Sequence, residues 1–218
     1  MKHAILLVTI GLSFLTACSQ KNSQDQKNGA SDAVFGGRCE TCEVIFESPV
    51  PFDKLSWIDT LPDYNEAGPK MEISGTMYHA DGTPAKDVVI YIYHTDQKGL
   101  YSNPGNFKGA SARHGYIRGW MKTNEKGQYK FYTLQPASYP NTRALKHIHP
   151  VIKEAGKNAY WIDEFVFSND PFLTPAMKHD GEKRGGAGIL DLTEKNGILV
   201  GKRDIILGKN VPGYPSPQ

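Results

Sequence analysis

Long runs of lysine or arginine are missing from this chain, and its formal net charge is only +2, with a pI near 8.3. So mild a balance gives no basis for a nucleic-acid surface, and no nucleic-acid partner is expected. Cysteine is scarce: Cys18, Cys39 and Cys42 are the only three. Cys39-Glu40-Thr41-Cys42 has no second Cys-x-x-Cys to complete a four-thiolate zinc site, and no strand–helix–strand context of a redox centre surrounds it. Apolar runs long enough to span a membrane are also lacking. Amphipathic stretches of helical length are few after the first segment, whereas Gly (22) and Tyr (11) are plentiful. That composition favours many short strands joined by structured turns. No repeat period or second globular domain is evident, and 218 residues suit one domain.

The N-terminus reads as an export signal. Met1-Lys2-His3 precedes an apolar run from Ala4 to Leu15, too short for a comfortable membrane span. It ends in Leu15-Thr16-Ala17-Cys18, which looks like a bacterial lipobox. The expected organisation is a signal peptide over 1–17, lipidation of Cys18, a polar tether over 18–34 and one domain over 35–218. Such a chain is lipid-anchored in the bacterial cell envelope, outside the cytoplasm, and touches the membrane only through its acyl chains. In that oxidising setting Cys39 and Cys42 are expected to form a small structural disulfide, ahead of a redox role.

The body alternates strand-like runs and turn signals. Met71–His79 and Asp87–Thr95 read as strands flanking the Asp81-Gly82-Thr83-Pro84 turn. Tyr116–Thr123 and Gln128–Leu134 flank the tight Asn124-Glu125-Lys126-Gly127 turn. Further strands are predicted over His147–Lys153, Tyr160–Phe167, Ile189–Leu192 and Ile198–Leu207. The expected fold is all-β: a sandwich of mostly antiparallel strands, with long loops carrying the functional site.

One stretch, Tyr139 to His149, concentrates the chemistry. In an extended His147-Ile148-His149 both imidazoles point to one face, since side chains alternate with period two. Tyr139 and Arg143 lie just upstream. On its own a His-x-His pair is more often two surface histidines.

The order of the pieces adds to this. Asp81-Gly82-Thr83-Pro84 is followed by Tyr93-His94-Thr95-Asp96, Gly99-Leu100-Tyr101 and Arg118-Gly119-Trp120. Then come Thr123 to Phe131, Leu134 to Pro140, His147-Ile148-His149 and Phe167-Ser168-Asn169-Asp170-Pro171. Over about residues 71–171 this order resembles the intradiol ring-cleavage dioxygenases, the family of the catechol 1,2- and protocatechuate 3,4-dioxygenases. The resemblance implies an Fe(III) site on Tyr101, Tyr139, His147 and His149. It implies a catechol-type aromatic diol and O2 as substrates, with the ring opened between its two hydroxylated carbons. It casts Tyr139 as the ligand displaced by substrate. The donor set suits the ion: Fe(III) is hard, and phenolate oxygen matches it better than sulfur.

Three positions depart from the family pattern. The arginine expected three residues before the first histidine is replaced by Ala144, leaving Arg143 one place earlier to stabilise charge on the ring. Glu164 stands where a glutamine is usual. Tyr93 stands where a tryptophan is expected.

Two other readings compete. One is a non-catalytic, transthyretin-like β-sandwich binding module of the cell envelope. The other is a zinc or copper site on His147 and His149. Tyr101 and Tyr139 discriminate, because neither alternative calls for paired tyrosines in this order. Of the remaining histidines, His94 reads as a hydrogen-bonded structural residue, and His114 and His179 as solvated loop residues. Tyr91, Tyr129 and Trp120 read as core or pocket wall.

Overall fold

The computed structural model describes residues 35–179 and 184–215. The expected signal peptide, the Cys18 lipidation site and the tether lie outside the described residues. In chain order the elements are β1 (Ile58–Thr60), β2 (Lys70–Tyr78), β3 (Val89–Tyr93), α1 (Ser111–His114), β4 (Arg118–Lys122), β5 (Gln128–Leu134) and β6 (His147–Lys153). They continue with β7 (Tyr160–Trp161), β8 (Phe165–Phe167), α2 (Pro175–His179), β9 (Ile189–Leu190), β10 (Thr193–Lys195), β11 (Ile198–Lys202) and β12 (Ile205–Ile206). No helix among the described residues is long and apolar enough to cross a membrane.

The strands form two six-stranded sheets. The first runs β1-β5-β2-β11-β10, with β12 also against β2; the second runs β4-β3-β6-β8-β9, with β7 also against β6. The expected all-β sandwich is the fold observed. Its centre is antiparallel, in β2–β5 and β3–β4–β6. Parallel pairs add to it at β1–β5, β2–β11, β2–β12 and β8–β9.

Burial follows the pleat. Along β2 every second residue is buried, sending Met71, Ile73 and Met77 inward. They pack with Phe131 of β5 against Ile90, Ile92, Ile148, Ile152 and Phe165 of the second sheet. β3 does not alternate: Val89 to Ile92 are all buried. Its outward residues Val89 and Tyr91 belong to a second apolar cluster, with Trp120, Val151, Val44 and Ile45. The cover comes from the lead-in, whose Cys42–Glu47 segment is a short 3-10 helix lying over that face. The Trp120 indole donates to the Ile45 carbonyl at 2.9 Å and pins the cover in place. Cys39 and Cys42 are disulfide-bonded, with Cα atoms 5.6 Å apart.

The lead-in leaves one end of this outer face uncovered. In the β3–β6 register Tyr91 faces Val151 and Tyr93 faces His149. His147 and His149 therefore emerge on the same face as the covered cluster, one and two steps beyond it.

Candidate metal centre

Three segments converge at this open end. His147 and His149 lie on β6 itself, on one face, as the His-x-His spacing predicts. Tyr101 comes from the long loop between β3 and β4, and Tyr139 from the loop between β5 and β6. Strand as well as loop thus builds the site.

The two loops are held together by their own backbone. The Asp96 carboxylate accepts from the Lys98 N–H at 2.8 Å, from the Leu100 N–H at 3.0 Å and from the Ser102 hydroxyl. This network closes a tight turn directly before Tyr101. Gly99 completes it with φ +75°, and a Cβ there would sit 2.0 Å from the Ser138 carbonyl oxygen. Only glycine permits that contact, and Ser138 adjoins Tyr139. The Thr95 hydroxyl donates to the Ala137 carbonyl at 2.7 Å and adds a second tie. Downstream, the buried Asp170 accepts from the Lys146 N–H at 2.7 Å and fixes the chain just before His147.

The four functional atoms form a closed ring of short contacts. Tyr101 Oη lies 2.8 Å from Tyr139 Oη and 2.8 Å from His149 Nε2. Tyr139 Oη lies 3.1 Å from His147 Nε2, and the two Nε2 atoms are 3.0 Å apart. Protons are too few to make all four of these hydrogen bonds. His147 Nδ1 donates to the Leu145 carbonyl at 2.6 Å, so its Nε2 carries a lone pair. His149 Nδ1 lies 3.6 Å from the Glu164 carboxylate and makes no direct hydrogen bond to it, so either His149 nitrogen can carry the ring proton. The ring holds the two phenolic protons and at most one from His149, so at least one of the four contacts remains lone pair against lone pair. A cation between the four atoms removes that conflict.

The residues also suit ferric iron by their chemistry. Burial, and then the neighbouring Tyr139, push the Tyr101 phenol above its ordinary value. It becomes a phenolate only under a strong local positive charge. Burial first, and then the neighbouring His147, hold the His149 imidazole well below its ordinary value, at about 3. It stays neutral, which is the ligating form. Among the described residues no three His, Cys, Asp or Glu side chains gather to hold a metal. The protein donors that accompany the two histidines are the tyrosines, which speaks against the zinc reading.

The surroundings are partly as read from sequence. Continuing the β6–β8 register, in which His147 faces Val166 and Ile148 faces Phe165, puts Glu164 opposite His149. Glu164 also lines two cavities of about 220 and 280 Å³, a scale suited to a small aromatic ligand. Arg143 is exposed, its guanidinium 5.3 Å from the Phe172 ring, and makes no contact with the four ring atoms. Tyr91, Tyr129 and Trp120 are buried, as expected. His94 is a buried structural histidine, 2.8 Å from the Thr95 carbonyl and 2.6 Å from the Thr133 hydroxyl.

His114 corrects the sequence reading. It is 2 % exposed, not solvated. Its Nε2 bonds the Thr41 hydroxyl at 2.5 Å and its Nδ1 the Tyr91 hydroxyl at 2.7 Å. Its ring stacks on Tyr93 at 3.6 Å, and Tyr93 stacks on His149 at 4.6 Å. A Gly- and charge-rich loop carries no periodicity to reveal this, and the lead-in that covers His114 is remote in sequence.

The β-sandwich thus presents two tyrosines and a His-x-His pair around one point. The family model described as Dioxygenase matches residues 51–177, more than half of the chain. The chain belongs to the intradiol ring-cleavage dioxygenase family. It is 31% identical over 144 residues to catechol 1,2-dioxygenase 1 of Acinetobacter lwoffii, covering 64% of this chain and 45% of that protein. It is 33% identical over 75 residues to catechol 1,2-dioxygenase of Acinetobacter baylyi, covering 33% of this chain and 22% of that one. The chain thus spans less than half the length of these relatives. Its fold matches catechol 1,2-dioxygenase from Acinetobacter sp. ADP1, inhibited by bound mercury, at a TM-score of 0.54 and 20% identity, over 75% of this chain and 61% of that one. It also matches the dioxygenase domain of a dioxygenase–carbohydrate-binding protein fusion from Streptomyces sp. SirexAA-E, at a TM-score of 0.52 and 18% identity, over 73% and 94%.

Proposed function

We propose that this chain holds Fe(III) on Tyr101, Tyr139, His147 and His149 and cleaves a catechol-type ring between its two hydroxylated carbons. Both atoms of O2 enter the product, a muconate-type diacid. The observation that carries this reading is the ring of four atoms at 2.8–3.1 Å with too few protons to satisfy it. Bound iron supplies charge for the phenolates and makes a coordinated catecholate reactive toward O2.

The chain's own residues do the rest. Tyr101, His147 and His149 are permanent donors. Tyr139 comes from a loop and adjoins exposed residues, which suits it to leave when substrate arrives. Its phenolate oxygen is then the base placed to take a catechol proton. The Leu145 carbonyl holds the His147 ring through Nδ1, and Tyr93 holds the His149 ring by stacking. The cavities beside Glu164 receive the aromatic ring.

A second reading, catechol binding without turnover, is favoured by the exposed position of Arg143 over Phe172, away from the ring atoms. Oxygen uptake by the iron-loaded chain across a panel of catechols separates the two. Consumption of one O2 per catechol, with a ring-opened diacid as product, supports the enzyme; binding with no uptake supports the second reading.

We also propose that Cys18 is lipidated and anchors the domain outside the cytoplasm through residues 18–34. The support is Leu15-Thr16-Ala17-Cys18 after a short apolar run. Mass spectrometry of the membrane-extracted protein tests it. An acylated N-terminal cysteine is expected, and a Cys18→Ser variant with unchanged membrane association contradicts it.

A further inference from the structure

Glu164 lines both cavities. The first is walled by Leu145, Val166, Leu173 and Ile189, and its charged lining residues are Asp163 and Glu164. The second is bounded by His149, Tyr93 and Trp161, with Glu40, Glu164 and Arg38 at its edge. The neighbouring charges are mostly engaged elsewhere. Glu40 is paired with Arg113 at 2.9 Å. Arg203 lies buried behind β8, donates to the Asp163 carbonyl at 2.7 Å and makes no ion pair with Glu164, although its charge is felt there. Arg184 lies over the Trp161 ring at 3.5 Å, and Arg38 is exposed. Among the described residues the one ion-pair partner of Glu164 is His149, a neutral donor to the metal, at 3.6 Å.

Charge counting then gives Glu164 a role. Ferric iron, the Tyr101 phenolate and a catecholate dianion together sum to zero. Among the described residues no cationic side chain forms an ion pair with the Glu164 carboxylate beside the substrate; the buried Arg203 acts on it only through its field, from behind β8. A cationic group on the substrate compensates it, whereas a carboxylate on the substrate opposes it. The apolar walls of the first cavity fit a short methylene stem, and Glu164 at its margin fits an ammonium at the stem's end.

We propose that Glu164 sets substrate charge at this centre, favouring catechols that bear a protonated amine and disfavouring those that bear a carboxylate. The proposal rests on the ferric catechol reading of the site. The test is a binding titration of the iron-loaded full chain, without O2, followed by its visible absorption. The ligands are 4-(2-aminoethyl)catechol, 4-methylcatechol and 3,4-dihydroxybenzoate, against wild type, Glu164→Gln and Glu164→Asp. Wild type is expected to bind them in that order, each step worth about fivefold in Kd, the upper range for a half-exposed ion pair. Glu164→Gln removes the order and Glu164→Asp keeps it. A wild type that binds 3,4-dihydroxybenzoate tightest, or a Glu164→Gln variant that keeps the wild-type order, overturns the proposal. A chain that takes up no iron overturns the ferric reading and this inference with it. An iron-loaded chain indifferent to ligand charge overturns this inference alone.

Discussion

Tyr93 and His149 face each other across β3 and β6, with rings 4.6 Å apart and planes 17° from parallel. Behind Tyr93 lies His114, stacked 3.6 Å away with its plane nearly parallel, and locked by the Thr41 and Tyr91 hydroxyls. The His149 imidazole is thus backed by a stack that ends in the buried lead-in, beside Cys42. The ring of His149 is positioned by packing, because its Nδ1 is too far from Glu164 for a direct hydrogen bond.

Removing that backing should loosen the metal. Tyr93→Ala is expected to weaken iron affinity by about tenfold or more, the usual scale for a residue that orients a ligand. Tyr93→Phe keeps the ring and should bind iron like wild type. Competition against a chelator measures both.

The Asp96 turn supports Tyr101 in the same way. Asp96→Ala leaves the Lys98 and Leu100 N–H groups and the Ser102 hydroxyl without their acceptor. A loss of about 1–3 kcal/mol of stability is expected, together with weaker iron binding. Urea unfolding and iron titration of the variant check the two effects. An Asp96→Asn variant, which keeps one acceptor oxygen, should fall between.

A buried chain runs from His94 through the Thr133 hydroxyl to Asp63, with contacts of 2.6 and 3.0 Å. Burial holds His94 and His114 neutral down to about pH 4, below the ordinary histidine value. Burial also keeps Asp63 protonated up to about pH 6. Between pH 6.5 and 4 the unfolded chain binds protons that the two folded histidines refuse, so their contribution to stability is full above pH 6.5 and lost as pH falls toward 4. Asp63 has the opposite sign, because the folded state retains its proton between 3.8 and about 6. Three histidines, His149 included, against Asp63 and Asp59, whose carboxyl burial also raises, leave stability of the iron-free chain rising with pH, most steeply just above pH 6. Urea midpoints between pH 4.5 and 7.5 should show that rise, and His94→Gln should flatten it.

The centre of the sandwich is legible in sequence because its strands carry their own pattern. β5 and β6 have the predicted limits, and Gln128–Leu134 alternates as a one-sided strand should. The run from Ile198 to Leu207 was expected as one strand and divides into β11 and β12 around Arg203 and Asp204. β1 and β10 carry no apolar alternation: Thr193–Lys195 is wholly exposed, and β1 exists by pairing with β5. The four ring residues are legible because their order and types are chemically unusual. The surroundings are not. The burial of His114 depends on the Cys42–Glu47 cover, and the place of Arg143 depends on Phe172; both are tertiary facts with no local signal.

The most direct test of the ferric centre is the visible spectrum of the purified chain titrated with Fe(III). One iron per chain is expected, with a tyrosinate-to-iron charge-transfer band that weakens in Tyr101→Phe and again in Tyr139→Phe. A folded protein that stays colourless and binds no iron would contradict the assignment, as would a band unchanged when both tyrosines are replaced.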